Sequence, residues 1–579
     1  MNDIPDAAEP ESSRWPVRVW PGVLIVAVVA AVMVVPAHVV PRSMAHFYSL
    51  FLGPVLGSVA AVGWWVFAAR VTGRDRWLFP VLFLVPGVVI GATLFQKKAM
   101  AVPIYGLPVE LLLWVGWLVV SFTLSRGVRR AGLVLALVGG WVTFAQLRLE
   151  GTDVELVPEV RWWWQKTAEQ LADAERAARP KGVADGTVNV TPGDWPAFRG
   201  PNRDGRLSGV SIDTDWAANP PQLVWKHRIG PGWGSFAVVG NRLFTQEQRG
   251  TDEVVVCLAA DTGLEVWAHS QPARFEEAIG GAGPRATPTV NGTRVYAQGA
   301  TGKLVCLDAG TGKPFWTADL VADAGGVVPQ WGYSGSPLVV GGAVIAYAGG
   351  PNGKGTVGYD ADTGKLSWAT GKAADGYASA QRATLAGQQQ VLMVSGYGVE
   401  AFRPVTGDLA WEHQWQTKGV SRVTQPLLVG DTDVVIGTGV GPEQGIRRLR
   451  VTLGKGFEAA TLWTSRAMKP YFNDGVAHNG YLYGFDDSRL CCVDLETGRE
   501  KWKDGRYGHG QVLLLADQGV LVVQAVDGKV ALVEANPEFA ELAKFQAIEK
   551  KTWNHPVVAG GKLYVRNGQW AACYQLAAR

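Results

Sequence analysis

Long apolar runs broken by short polar stretches fill the chain up to about residue 150, and short alternating runs fill most of the remainder. Five apolar runs stand near 20–40, 47–69, 77–96, 105–124 and 131–147. Each approaches the roughly 20 residues that a helix needs to cross a hydrocarbon core. A cleaved leader would contribute one such run, so five argue for integral spans. Ionisable groups are nearly absent from them, and Glu110 falls at the start of the fourth run rather than its middle. Ion pathways usually need buried carboxylates or histidines, so the pattern reads first as an anchor.

From residue 222 the alternation changes to that of half-buried strands, as at 254–258, 304–307 and 490–493. After such a strand a two-part motif recurs: Thr-Gly, three residues, then Trp. It joins Thr262-Gly263 to Trp267, Thr311-Gly312 to Trp316, Thr363-Gly364 to Trp368, Thr406-Gly407 to Trp411, and Thr497-Gly498 to Trp502. A sixth copy keeps Trp463 and has lost the Thr-Gly. The tryptophans are 39 to 52 residues apart, the period of propeller blades. Gly supplies the positive φ of a tight turn, and the Trp ring on the outermost strand fills the gap against the next blade. Innermost strands open near Ser235, Ala286, Ser336, Ala378, Gln425, Gly475, Gln511 and Pro556, which makes eight blades. The last run, 570–576, ends a blade after three strands, and the lone strand 222–229 is expected to complete it and close the ring.

The expected fold is therefore an all-β eight-bladed propeller with tryptophan-docking repeats, preceded by an α-helical transmembrane domain. The expected divisions are a cytoplasmic N-terminus at 1–19, five helices in 20–150, a juxtamembrane helix and linker at 151–193, and the propeller at 194–579. Within the third division, 158–179 reads as a polar helix and 180–192 as a linker, after the interfacial cluster Trp162, Trp163 and Trp164.

Charge adds orientation. The N-terminus and the loops after spans two and four carry Arg14, Arg18, Arg70, Arg74, Arg76, Arg126, Arg129 and Arg130, against Arg42, Lys97 and Lys98 in the other two loops. Eight against three places the N-terminus in the cytoplasm and, after five crossings, the propeller outside it. The expected location is the inner membrane, multi-pass, with the propeller on the periplasmic side. A formal net charge of +3 gives no electrostatic reason for a nucleic-acid partner. Five Cys exclude a disulfide framework, and eight His form no metal-ligand cluster, so no metal site is assigned. Cys257, Cys306, Cys492 and Cys573 share one blade position and read as small buried hydrophobes.

The Thr-Gly-x-x-x-Trp repeats resemble those of the PQQ-like, or quinoprotein-type, β-propellers, over about residues 194–579. That superfamily includes quinone-dependent alcohol dehydrogenases and the BamB subunit of the outer-membrane assembly machinery. The segment 195–205, Trp-Pro-Ala-Phe-Arg-Gly-Pro-Asn-Arg-Asp-Gly, resembles the entry segment of a bacterial subfamily of these repeats. The layout of five spans and a propeller is similar to membrane-bound quinoprotein glucose dehydrogenase, while the compact blades are closer to BamB. The resemblance thus implies two functions: a binding or assembly platform with envelope protein partners, or a PQQ-dependent alcohol or sugar dehydrogenase passing electrons to membrane quinone. Apolar and aromatic side chains in the spans leave a quinone pocket open.

The dehydrogenase reading implies PQQ with Ca²⁺, several oxygen ligands and a carboxylate base. Asp474 is the candidate base, and Asn473 beside it is a candidate cofactor-binding residue. The other candidate cofactor-binding residues are Gln246, Glu247, Gln248 and Arg249 of the first blade's hairpin, with Arg285 and Trp331. Some quinoprotein dehydrogenases also carry a disulfide between adjacent cysteines; the pair here, Cys491-Cys492, lies within a strand rather than a loop.

Overall fold

The computed structural model describes residues 17–39, 44–71, 73–93, 101–152, 158–183, 188–277, 279–372, 375–417, 422–439, 441 and 443–579. Arg14, Arg42, Lys97 and Lys98 of the orientation argument lie outside them. Contacts divide the chain into two compact units, one reaching to Gln165 and one running from Lys166 onward apart from 278–280.

In the first unit, five helices are long and apolar enough to cross a membrane: Trp20–Val39, Ala45–Ala68, Asp75–Thr93, Val102–Val120 and Arg126–Gln146. Their tryptophans are not confined to interfaces. Trp64, Trp65, Trp114 and Trp141 are buried in the bundle, and a Cβ at Gly22 or Gly87 would stand 2.7 or 2.6 Å from the ring of Trp64 or Trp141. Glycine lets helices approach until a large ring fills the seam. The fourth helix begins with a π turn at Val102–Gly106 that runs on into Leu107–Val120. That early start corrects the placement of Glu110: it lies near the middle of its helix, fully buried.

A second correction concerns 158–179. Pro158–Trp162 is a strand paired antiparallel with Leu147–Thr152, and Trp163 donates to the Gln146 carbonyl at the end of the last span. The helix starts only at Ala168, where Thr167 and Gln170 form a capping box, and ends at Ala177.

The second unit holds eight antiparallel blades. Their innermost strands are Ala237–Val239, Thr289–Asn291, Leu338–Val340, Gln381–Leu385, Leu427–Val429, Val476–His478, Gln511–Leu515 and Val557–Ala559. Gln222–Arg228 pairs with Trp570–Gln575 as the outer strand of the eighth blade, as expected. Among the described residues only the seventh blade has a fifth strand, the short parallel Arg206–Leu207.

The repeat motif works across blades. The ring of each docking Trp lies on the glycine of the next blade's turn: a Cβ at Gly263, Gly312, Gly364 or Gly407 would meet Trp225, Trp267, Trp316 or Trp368 at 2.5–2.6 Å. These glycines also have φ between 68° and 74°. Each indole N–H then donates to a carbonyl just before that turn, of Ala260, Ala309, Ala361 and Pro404 respectively. Trp463 and Trp502 do the same with Leu495 and Asn536. Trp411 is the exception: the fifth blade lacks Thr-Gly, and Trp411 donates instead to Gln390 of its own blade at 2.6 Å.

Cys257, Cys306, Cys492 and Cys573 stand directly across from Trp267, Trp316, Trp502 and Trp225 in the strand register. All five cysteines are free and buried. Cys491 and Cys492 point to opposite faces of their strand, into two different hydrophobic clusters.

Candidate functional site

The residues that open the innermost strands meet around the propeller axis and are tied into a ring. Backbone N–H groups of Ser235, Thr287 and Ser336 donate to the hydroxyls of Thr287, Ser336 and Ser379, each on the next blade. The Gln425 amide bonds both backbone groups of Ser379, Gln425 N–H donates to Asp474 Oδ1, and Asp474 N–H reaches Gln511. Gln511 Nε2 donates to the Trp553 carbonyl, and Ser235 Oγ to that of His555, which completes the circle. In the first six blades a polar side chain of the next blade thus satisfies the first N–H that the sheet ladder leaves open.

The segment 195–207 fills the middle of this ring. It bridges Val238 on the first blade through Trp195, and leaves along the seventh through Arg206–Leu207. Between those points Arg199 and Arg203 both adopt positive φ, near 60°, and turn their guanidiniums onto the ring. Arg203 donates to the Ser336 and Pro337 carbonyls at 2.9 Å; burial, then the charges of Arg199 and Arg382, push its pKa down to about 9. Arg199 donates to the carbonyls of Gly475 and Asp204 and pairs with Asp474 Oδ2 at 3.2 Å.

Asp474 is therefore a counter-ion, 4% exposed, with His555 Nε2 also 3.4 Å from its Oδ2. Burial pushes its carboxyl up, but Arg199, His555 and the Gln425 N–H together hold it below its ordinary value. Burial keeps His555 below the usual imidazole value despite Asp474. Asn473 Nδ2 donates to the Gly510 carbonyl, while its buried Oδ1 has no hydrogen-bond partner.

The first-blade residues are spent elsewhere. Gln246 donates to the Ala286 and Gln298 carbonyls, and Gln248 to those of Gly250, Asp252 and Ala273. Glu247 accepts from Gly230 N–H and pairs with Arg249 and Arg176, so it faces the capped helix Ala168–Ala177. Arg249 bridges Glu247 and Glu265. Among the described residues, Glu247 shares no hydrogen-bond or ion-pair partner with Asn473 or Asp474. Arg285 pairs with Glu277, donates to the Gly281, Gly283 and Trp331 carbonyls and lies over Phe275; burial pushes its pKa down to about 10.

Aromatic residues dominate the segments leading into the innermost strands, which topology gathers on one face. Trp233 lies 4.9 Å from Trp553, Trp553 5.3 Å from Phe472, and Phe472 packs on Tyr471 and His509. Lys551 Nζ sits over Trp553 and Trp233 at 4.4 and 5.1 Å. Trp331, 37% exposed, packs on Tyr377 at 5.6 Å. The sequence singled out Trp331, but Phe472, Lys551, Arg199 and Arg203 escaped it.

Comparison with known proteins found a matching family model and several relatives. A family model described as outer membrane protein assembly factor BamB matches residues 216–300 and 251–504. Quinohemoprotein alcohol dehydrogenase ADH-IIG of Pseudomonas putida is 30% identical over 186 residues, 31% of this chain and 25% of that protein. Quinohemoprotein alcohol dehydrogenase ADH IIB of the same organism is 35% identical over 125 residues, 20% of this chain and 17% of that one. The matched stretches thus span about a quarter or less of these curated relatives. Among solved structures, BamB from Moraxella catarrhalis aligns over 62% of this chain and 98% of its own at 14% identity and a TM-score of 0.44. Quinohemoprotein alcohol dehydrogenase from Comamonas testosteroni aligns over 71% and 84% at 13% identity and a TM-score of 0.48.

Proposed function

The chain belongs to the PQQ-like, BamB-type β-propeller repeat family, and from that premise we propose that it is a membrane-anchored platform of the cell envelope. Its propeller stands on the periplasmic side of the inner membrane, and its aromatic face docks another envelope protein. The eight-against-three distribution of basic residues supports that side. The observation that carries the platform reading is the closed axis. The carboxylate that a quinoprotein site would use as base, Asp474, neutralises Arg199 of the chain's own plug.

The carboxylates proposed for a calcium site do not converge either. Among the described residues no three His, Cys, Asp or Glu side chains come together, and Glu247 and Asp474 answer to different arginines. The aromatic face, by contrast, has the composition of a docking surface, with Trp, Tyr and Phe around a lysine.

One observation favours the second reading, a quinoprotein dehydrogenase that hands electrons to a membrane quinone. Glu110 and Trp114, one helical turn apart in the fourth span, are both buried, and Glu110 Oε2 and Trp114 Nε1 have no hydrogen-bond partner. A carboxylic acid and an indole N–H inside the bundle suit a lipid-soluble carbonyl acceptor. The platform is tested in cells by placing a photo-crosslinking residue at Trp331 or Trp553, with Leu462 on an outer strand as control. The platform predicts one or two discrete envelope-protein adducts from the first two positions and none from the third. An adduct pattern equal at all three positions contradicts it.

A further inference from the structure

The fourth and fifth blades enclose a group of donors without acceptors. Arg422 is completely buried, and among the described residues its side chain makes one hydrogen bond, from Nη1 to the Ser395 carbonyl at 3.2 Å, with none from Nε or Nη2. The guanidinium carbon lies 4.6 Å from the centre of the Trp415 ring, and that of Arg447 lies 4.3 Å from the same ring. Trp415 is 5% exposed, and its Nε1 also lacks an acceptor. Arg447 donates to Thr464 and meets His413 Nε2, and the charge of the Glu443 carboxylate also acts on it.

Other buried arginines of the propeller show what is missing. Arg203 gives both Nη groups to two carbonyls, and Arg566 gives its own to three carbonyls and the Thr245 hydroxyl, so each leaves only its Nε without a partner. Arg422 has one acceptor and a second cation beside it. Burial, and then the charge of Arg447, push its pKa down to about 9. A dehydrated charge is retained in a fold when something of opposite sign meets it. The chain supplies no such group to Arg422 among the described residues.

The open edge has a definite shape. Nε–H and Nη2–H point the same way in one plane, the geometry that grips two oxygens of a single oxyanion. We propose that the Arg422 edge, flanked by Arg447 and the Trp415 N–H, is a binding site for an oxyanion, the carboxylate or phosphate group of a ligand. The site is independent of the axis and of the aromatic cluster around Trp553, so it stands whichever reading of the function holds.

The test uses the full-length protein in detergent, titrated calorimetrically with inorganic phosphate and with acetate at ionic strength matched by sodium chloride. Saturable binding of either at one site per chain is expected, with a raised melting temperature. Phosphate alone marks a phosphoryl ligand, acetate alone a carboxylate, and either outcome supports the site. Arg422→Gln should weaken binding about tenfold or more, the value of a charge-assisted pair. Its anion-free melting temperature should not fall below that of the wild type, because the substitution removes a stranded charge. Trp415→Phe and Arg447→Gln, which leave Arg422 in place, should weaken binding less. Binding of neither anion above the chloride baseline overturns the proposal. So does unchanged binding in all three variants, or anion-free destabilisation by Arg422→Gln.

Discussion

The seam between the second and third blades and the seam between the fourth and fifth start from the same residue and part at its N–H. At the first, Trp316 lies on Gly364 and donates to Ala361 of the neighbouring blade. At the second, Trp411 finds no Thr-Gly turn and donates to Gln390 within its own blade. The regular seam is closed by the repeat. The irregular one, relieved of that duty, is where Trp415, Arg422 and Arg447 gather. The repeat thus reports architecture, and departures from it report where the chain does something else.

The largest effect should come from filling a regular seam. Gly364→Val would place a Cβ 2.5 Å from the Trp316 ring and force a branched residue to a φ of 70°. We expect a loss of about 3 kcal/mol or more in denaturant unfolding of the full-length protein. In the irregular blade the milder Gly456→Ala meets nothing within 4 Å and should stay within about 0.5 kcal/mol of wild type. Equal losses would erase the distinction between the seams.

The seam between the first and second blades adds a pH test. Glu253 accepts from Ala300 N–H across it, and burial, opposed by that bond and by Arg285, raises its pKa to about 7. A folded carboxyl that titrates above its unfolded value binds more protons than the unfolded chain between the two. Its contribution to stability is therefore present below about pH 4.5 and lost as pH rises toward 7. Glu253→Gln should remove that decline and gain on the order of 2 kcal/mol at pH 8, read as a flattened profile of stability against pH.

The smallest effect concerns Trp411. Trp411→Phe should cost about 1 kcal/mol, and the double variant with Gln390→Met should recover part of it. A coupling of Trp411 to the turn around Gly454 instead would show that the fourth seam is regular after all.

How much of this the sequence carried depends on range. Thr-Gly and Trp are local and periodic, so blade number, blade openings and the closing strand could be read directly. The spans were legible for the same reason, though Glu110 moved to mid-helix because the fourth span starts earlier, with a π turn at 102–106, and ends at Val120. The strand at 158–162 was hidden because Trp-rich polar sequence suits an edge strand as well as a helix. The axis was opaque. Asp474 meets Arg199 across 275 positions, a contact that no local pattern encodes.

On the reading proposed above, the axis belongs to the chain itself and the propeller binds partners rather than a quinone cofactor. It is tested most sharply by calorimetric titration of the purified full-length protein with PQQ and Ca²⁺, followed by dye reduction with a panel of alcohols and sugars. A plugged axis predicts no saturable PQQ binding and no reduction above background. Stoichiometric PQQ binding, with reduction abolished by Asp474→Ala in a protein that stays folded, would contradict it.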